Sequence, residues 1–159
     1  KMATITATLA PAHGSSSRGR QPYMVEQSID LTANSIAPGD VVQALTVPAN
    51  TKIMAAGIQV TSSATMNSGT DATASLGTAV DADEYVATFD IDGAADGAHA
   101  PSATVAGDIV ITSADTLDVT LAGSGASFTA GELRVYAVLM DVSALGEMTA
   151  DEVDRDALA

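Results

Sequence analysis

The chain has 159 residues, a net charge of −14, 47% apolar residues, no cysteine and no tryptophan. That length fits one domain, the missing cysteines exclude disulfides and thiolate metal sites, and no run approaches the ~20 apolar residues of a membrane-spanning helix. With only six Lys and Arg, direct binding to nucleic acid or anionic membranes is disfavoured, because phosphate contacts need clustered cations.

The charge is laid out unevenly. Residues 1–52 hold four bases (Lys1, Arg18, Arg20, Lys52) against three acids, whereas residues 53–159 hold seventeen acids against Arg134 and Arg155. Ala and Val carry most of the apolar count, and the aromatics are Tyr23, Tyr85, Phe89, Phe128 and Tyr136. Small side chains gain less per buried residue. They suit flat sheet packing, helped by oligomerisation.

Residues 1–22 read as an N-terminal arm. Thr4, Thr6 and Thr8 alternate with Ile5, Ala7 and Leu9, the pattern of a short strand. "PAHGSSSRGRQP" then breaks all periodicity with Gly, Ser and Pro. The same N-terminus lacks the leucine-rich stretch of a secretion signal.

From Tyr23 the pattern is β. Strands are expected over 23–31, 40–47 and 52–62. Pro38-Gly39 turns the chain between the first two, and Pro48-Ala49-Asn50 between the second and third; Asn50 tolerates the left-handed backbone. Gly57 inside a strand marks a bulge or a close backbone approach. A weak strand near 72–79 follows. "DADEYVATFDI" (81–91) reads two ways: a short helix capped by Asp81 with Glu84 in the box position, or a strand with Tyr85, Ala87 and Phe89 on one face. Residues 92–102 read as a polar loop. Strands are expected over 104–113, 115–123 and 131–143, with Leu117, Val119 and Leu121 facing inward on one and Leu133, Val135, Ala137 and Leu139 on the other. Thr149 and Glu152 open a short acidic helical tail within 144–159. About eight short strands with turns between them predict an all-β antiparallel sandwich, jelly-roll-like, over 23–143.

Candidate chemistry is sparse. His13 and His99 lie in loops without convergent ligands, and the ordinary reading of each is a solvated histidine. "DIDGAADG" (90–97) hints at Ca²⁺, but the EF-hand places that need ligands hold Ala94 and Pro101. Ser15, Ser16 and Ser17 beside His13 lack a nucleophile elbow and a placed acid. "GSGAS" (123–127) has the glycines of a phosphate loop but neither the Lys nor the helix. No catalytic residue, metal site or cofactor is therefore expected. Arg18 and Arg20 stand out as two of six bases on an acidic chain. Exposed arginines in an arm suit bidentate docking on an acidic partner surface.

"IAPGDVVQALTVPANTKIMAAGIQV", "ASLGTAVDADEYVATFDI" and "ADTLDVTLAGSGASFTAGELRVYAVLMDVS" together resemble small β-rich virion proteins of tailed bacteriophages, most of all head decoration (cement) proteins. The resemblance covers residues 23–143 and rests on the style of strand and turn. It implies a non-enzymatic protein on the capsid exterior that binds the major capsid protein, bridges its subunits and forms a homo-oligomer, with a trimer favoured. Arg18, Arg20 and Tyr23 would then belong to the capsid-binding arm. Two other classes remain open at this point: a tail or fibre-base virion protein, and an extracellular adhesin or carbohydrate-binding sandwich.

Overall fold

The structure, a computed structural model, describes residues 4–10, 21–101 and 110–142, with the backbone alone for 4–10. Ten strands are present among these residues: β1 Thr4–Ala10, β2 Tyr23–Asp30, β3 Val41–Val47, β4 Thr51–Met66, β5 Thr73–Gly77, β6 Val86–Asp90, β7 His99–Pro101, β8 Val110–Ile111, β9 Asp115–Ala122 and β10 Phe128–Asp141. The only helical element described is a single 3-10 turn at Ala33–Ser35.

The strands form two sheets, ordered β1-β3-β9-β5-β6 and β2-β10-β4-β7, with β8 also on β4. All pairings are antiparallel except β1 on β3, which is parallel. The all-β expectation therefore holds, and the strand expected near the N-terminus is β1, at one edge of the first sheet.

The core lies between the sheets. Leu133, Val135, Ala137 and Leu139 of β10 have no exposed surface, and Val25 and Ile29 of β2 and Ile53, Ala56, Ile58 and Val60 of β4 are buried with them. The facing sheet contributes Val42, Leu45, Ala74, Leu76, Leu117, Val119 and Leu121. Most of these residues follow the two-residue period that places alternate side chains on one face, and the step from Ile53 to Ala56 on β4 falls at the register shift that leaves Met54 over. The break in that rule on β3, where Ala44 and Leu45 are both buried, coincides with a register shift against β9 after Gln43. One extra residue in a strand re-aims the next side chain, as a bulge does.

The turns are those that the sequence requires. Asn50 takes φ 57° and Gly39 takes φ 96°. The backbone N–H of Gly39 donates to the Leu121 carbonyl at 2.7 Å, and the Asp40 carboxylate accepts from the Ala37 N–H at 2.9 Å. That latch ties the Pro38-Gly39 turn to β9.

Three local expectations change. Residues 81–84 form a turn and not a capped helix: the Asp81 N–H meets the Thr78 hydroxyl at 3.4 Å, and β6 starts at Val86. β4 runs to Met66, past the expected end at 62, because β10 continues beside it and pairs Phe128 with Met66. The expected loop 92–102 contains β7, which pairs with Gly57–Gln59 of β4. Of the strand expected over 104–113, β8 is described and 102–109 lie outside the described residues. The helical tail expected within 144–159 also lies outside them.

Candidate interaction surface

The carboxylates that could have suggested a cation site serve the backbone instead. Asp90 accepts from the N–H groups of Asp92 at 3.2 Å and Gly93 at 2.8 Å, Asp92 from Ala72 at 3.2 Å, and Asp96 from Ser63 at 2.9 Å. The Asp90 bonds are turn-forming bonds of the Asx type, and those of Asp92 and Asp96 tie their loop to residues distant in sequence. The two Asp90 bonds also hold that carboxyl below its usual range. Among the described residues no group of His, Asp and Glu has the arrangement of a metal site.

The two sheets present different outer faces. On the first, β9 turns Thr116, Asp118 and Thr120 outward, against Gln43 on one side and Ser75 and Gly77 on the other. Thr116 donates to the Asp118 carboxylate at 2.7 Å and accepts from the Gln43 amide at 3.3 Å. This polar row is nevertheless enclosed, since Asp118 is only 5% exposed. The 78–85 segment folds back onto the end of β5: the Thr78 N–H donates to the Asp81 carbonyl at 2.8 Å and the Tyr85 N–H to the Leu76 carbonyl at 2.9 Å. Gly77 makes this fold-back feasible, because a Cβ there would lie 1.9 Å from the Asp81 carbonyl oxygen.

Enclosure shifts the acids. Burial pushes the Asp118 carboxyl up, and the charge of Asp115 adds to it against the bond from Thr116. Burial likewise raises Glu84, helped by Asp81 and Asp115 and opposed by its bond with Thr78. The Tyr85 hydroxyl is pushed up to about 12 by burial first and then by the charges of Glu84 and Asp115. That hydroxyl is buried and has no hydrogen-bond partner among the described residues. An open groove of about 420 Å³ adjoins this face, lined by Gln43, Thr46, Val47, Pro48, Ala114, Asp115 and Thr116. Its one ionisable side chain, Asp115, has no general-acid or nucleophile partner among those residues.

The outer face of the second sheet is open. Register places Met24, Val138 and Ala55 in one row across β2, β10 and β4. The neighbouring row is Met140, Lys52 and Val110 across β10, β4 and β8. Met54 sits at the register shift between these rows. Met24 is 59% exposed and Val110 38%, while Met54, Val138 and Met140 are half-buried. Methionine in such a place offers a soft surface that adapts to a partner.

A polar cluster continues the same face. Arg134 donates through Nε to the Gln59 carbonyl oxygen at 3.0 Å and makes a second bond to it through a terminal nitrogen; its other terminal nitrogen lies 3.8 Å from Glu26. Tyr136 stacks on His99 with ring centroids 6.1 Å apart. Gly57 makes room for that ring, since a Cβ there would lie 2.5 Å from the Tyr136 hydroxyl and 2.7 Å from the Ala100 carbonyl. The close approach expected at Gly57 is thus the packing of Tyr136 and β7. Both Lys and Arg side chains described beyond residue 21, Lys52 and Arg134, lie on this face.

Of the arm residues singled out in the sequence, Arg18 and Arg20 lie outside the described residues. Tyr23 opens β2 opposite Leu139 and packs half-buried against the core. Burial, then the charge of Asp141, raises its hydroxyl. His99, expected as a solvated loop residue, is exposed but belongs to β7 and stacks on Tyr136. Sequence reasoning missed the Met24–Val138–Met140 surface altogether. Its signal was there: Met24, Val138 and Met140 occupy the strand positions that alternate with core residues.

No protein-family model and no curated protein matches the sequence. Likeness is found in three dimensions. A chain from the capsid of Ralstonia phage GP4 matches with a TM-score of 0.66 at 16% identity, over 89% of this chain and 100% of that one. A chain of the cyanophage Pam1 capsid asymmetric unit matches with a TM-score of 0.60 at 18% identity, over 82% and 90%. A chain from the acidic stable capsid structure of Helicobacter pylori bacteriophage KHP30 matches with a TM-score of 0.58 at 14% identity, over 79% and 91%. At these identities the likeness is one of fold.

Proposed function

We propose that this chain is a structural, non-enzymatic virion protein of a tailed phage that binds the capsid exterior and bridges major capsid subunits. The observation that carries this reading is the fold match to three phage capsid structures, in each of which nine-tenths or more of the neighbouring chain is covered. The whole of each such chain is thus close to this one sandwich, with little room for another domain.

The geometry supports the reading from a second direction. Asp30, Asp40, Asp90, Asp92 and Asp96 bond backbone N–H groups, Asp118 is buried and Glu26 faces Arg134, whereas the accessible feature is an adaptable apolar face. A capsid under internal pressure gains from many identical contacts, because linked weak contacts add up through effective concentration. In this reading the sandwich is jelly-roll-like, the protein is a homo-oligomer, a trimer by preference, and the arm beyond β1, with Arg18 and Arg20 and with Tyr23 at its base, lies on the shell.

Cosedimentation with expanded capsids tests it. The full chain is expected to bind in hundreds of copies per particle, and the double variant Arg18→Glu, Arg20→Glu, which leaves β1 in place, to give a folded oligomer that stays in the supernatant. Undiminished binding of that variant would remove the arm from the reading. A stoichiometry of a few copies would move the protein to the tail or fibre base.

A further inference from the structure

The apolar part of the second sheet's outer face is two rows deep. Met140, Lys52 and Val110 form one row, Met24, Val138 and Ala55 the next, and Met54 sits between them. Met24 and Val110 are exposed there. The acids of that face, Glu26, Glu132 and Asp30, belong to rows farther along β2 and β10. The chain itself is delivered to the apolar end. The N–H of Val142 donates to the Asn50 carbonyl at 2.9 Å, two residues beyond Met140, and residues 143–159 follow. At ~3.4 Å per strand residue, the Met140 row lies ~7 Å and the Val138 row ~14 Å from that exit.

The sequence of 143–159 suits this patch in pattern and in length. Thr149 and Glu152 have the spacing of a capping box. Ala150, Val153 and Ala157 recur at i, i+3 and i+7 with Leu158 beside them, while Glu152, Arg155 and Asp156 fall on the opposite side of that pattern. A helix over 150–158 is ~14 Å long. The four strands β2, β10, β4 and β8, at ~4.8 Å spacing, span ~14 Å across. Residues 143–148 reach ~20 Å when extended, enough to bring such a helix back over either row. We infer that residues 149–158 of the same chain lie across the Met140 and Val138 rows as a short helix, apolar side down. Burial of apolar surface supplies the attraction, and no ion pair is needed. Ala150 and Ala157 permit a close approach, and the methionines beneath adapt to it. The segment thereby keeps the free protein from associating through this face. The inference goes beyond the virion reading, because it concerns the free chain and does not depend on a capsid.

The test uses the pure full-length chain and a chain stopped after Val142, each with and without Met24→Thr. That substitution keeps strand propensity and removes the apolar contact. Thermal melting and the rate of peroxide oxidation at Met24, followed by mass spectrometry, are the readouts. Met24 is expected to oxidise several-fold more slowly in the full chain than in the shortened one. Met24→Thr is expected to lower the melting temperature of the full chain by a few degrees and to leave that of the shortened chain unchanged, since Met24 then faces water. Val153→Asp, at full length, is expected to reproduce the faster oxidation of Met24. It carries the test if the shortened chain does not fold.

Equal oxidation rates of Met24 in the parent and in Val153→Asp overturn the inference. So do equal melting losses from Met24→Thr at both chain lengths. Protection of Met24 that fades on dilution also overturns it, and would assign the cover to a second copy. Because no capsid enters these measurements, a failure here leaves the virion reading standing, and a failure of capsid binding leaves this inference standing.

Discussion

The two sheets share one core and one alternation rule, yet their outer faces differ in kind. The first turns Thr116, Asp118 and Thr120 outward, buries Asp118, and folds its 78–85 segment over Gly77, the residue paired with Asp118. The second turns Met24, Val138 and Met140 outward and leaves Met24 exposed and the other two half-exposed. The ordinary arrangement is the reverse, since polar groups lose less in water and apolar groups lose less when covered. A chain that buries the Asp118 carboxylate and exposes Met24 has inverted that arrangement, and an exposed apolar patch is a common mark of an interaction site.

The widest test of this contrast compares two glycines. Gly77→Ala drives a Cβ into the backbone carbonyl of Asp81, a contact that no rotamer relieves. A loss near the upper end of the ~1–3 kcal/mol typical of overpacking is expected, read as a lower urea midpoint. Gly57→Ala meets the movable ring of Tyr136 and the Ala100 carbonyl. Its loss is expected to be smaller, about 1–2 kcal/mol on the same scale. Equal losses would break the contrast, because they would mean that the cover on the first sheet is no tighter than the open face of the second.

A smaller effect sharpens the same point through pH. Glu84 and Asp118 have carboxyls raised by burial above their unfolded values. The folded chain therefore holds more protons than the unfolded one between those two values, and stability falls as pH rises through that window. Asp118→Asn removes the charge and keeps an acceptor for the Thr116 hydroxyl. Its melting temperature is expected to exceed that of the parent at neutral pH, with the gap closing as pH falls into the ordinary carboxylate range. A variant that melts below the parent at neutral pH would show that the enclosed carboxylate stabilises the row. The acids held in turns work the other way: Asp30 and Asp90 sit below their usual range through bonds from Thr32 and from Gly93 and Asp92. Their contribution is present at neutral pH and lost in acid, which is why the comparison uses a single variant against the parent.

Much of the fold was legible in the residues. The run Leu133, Val135, Ala137, Leu139 announced the inner face of β10, and Asn50 announced its turn, because both signals are local. β4 past Ser62 was not legible: its Thr and Ser look like a loop until the pairing of Phe128 with Met66 is known. The burial of Asp118 was hidden for the same reason, since its neighbours Gln43 and Gly77 are distant in sequence and alternation alone says only that it points away from the core. The candidate surface is the clearest case. Met24, Ala55 and Val138 are ordinary residues one at a time, and they become a surface only through a register that links three strands far apart in sequence.

That register has a consequence for how the molecule comes into being. β10 is the central strand that joins β2 to β4, and its partners begin at Tyr23 and end at Met66. A ribosome-bound chain lacking residues 128–141 would hold β2 and β4 with nothing between them. Sequence-distant pairing of this kind slows folding and lengthens the life of unpaired strand edges. The second sheet can close only after nearly the whole described chain has been made, so its open outer face is also among the last parts of the molecule to exist.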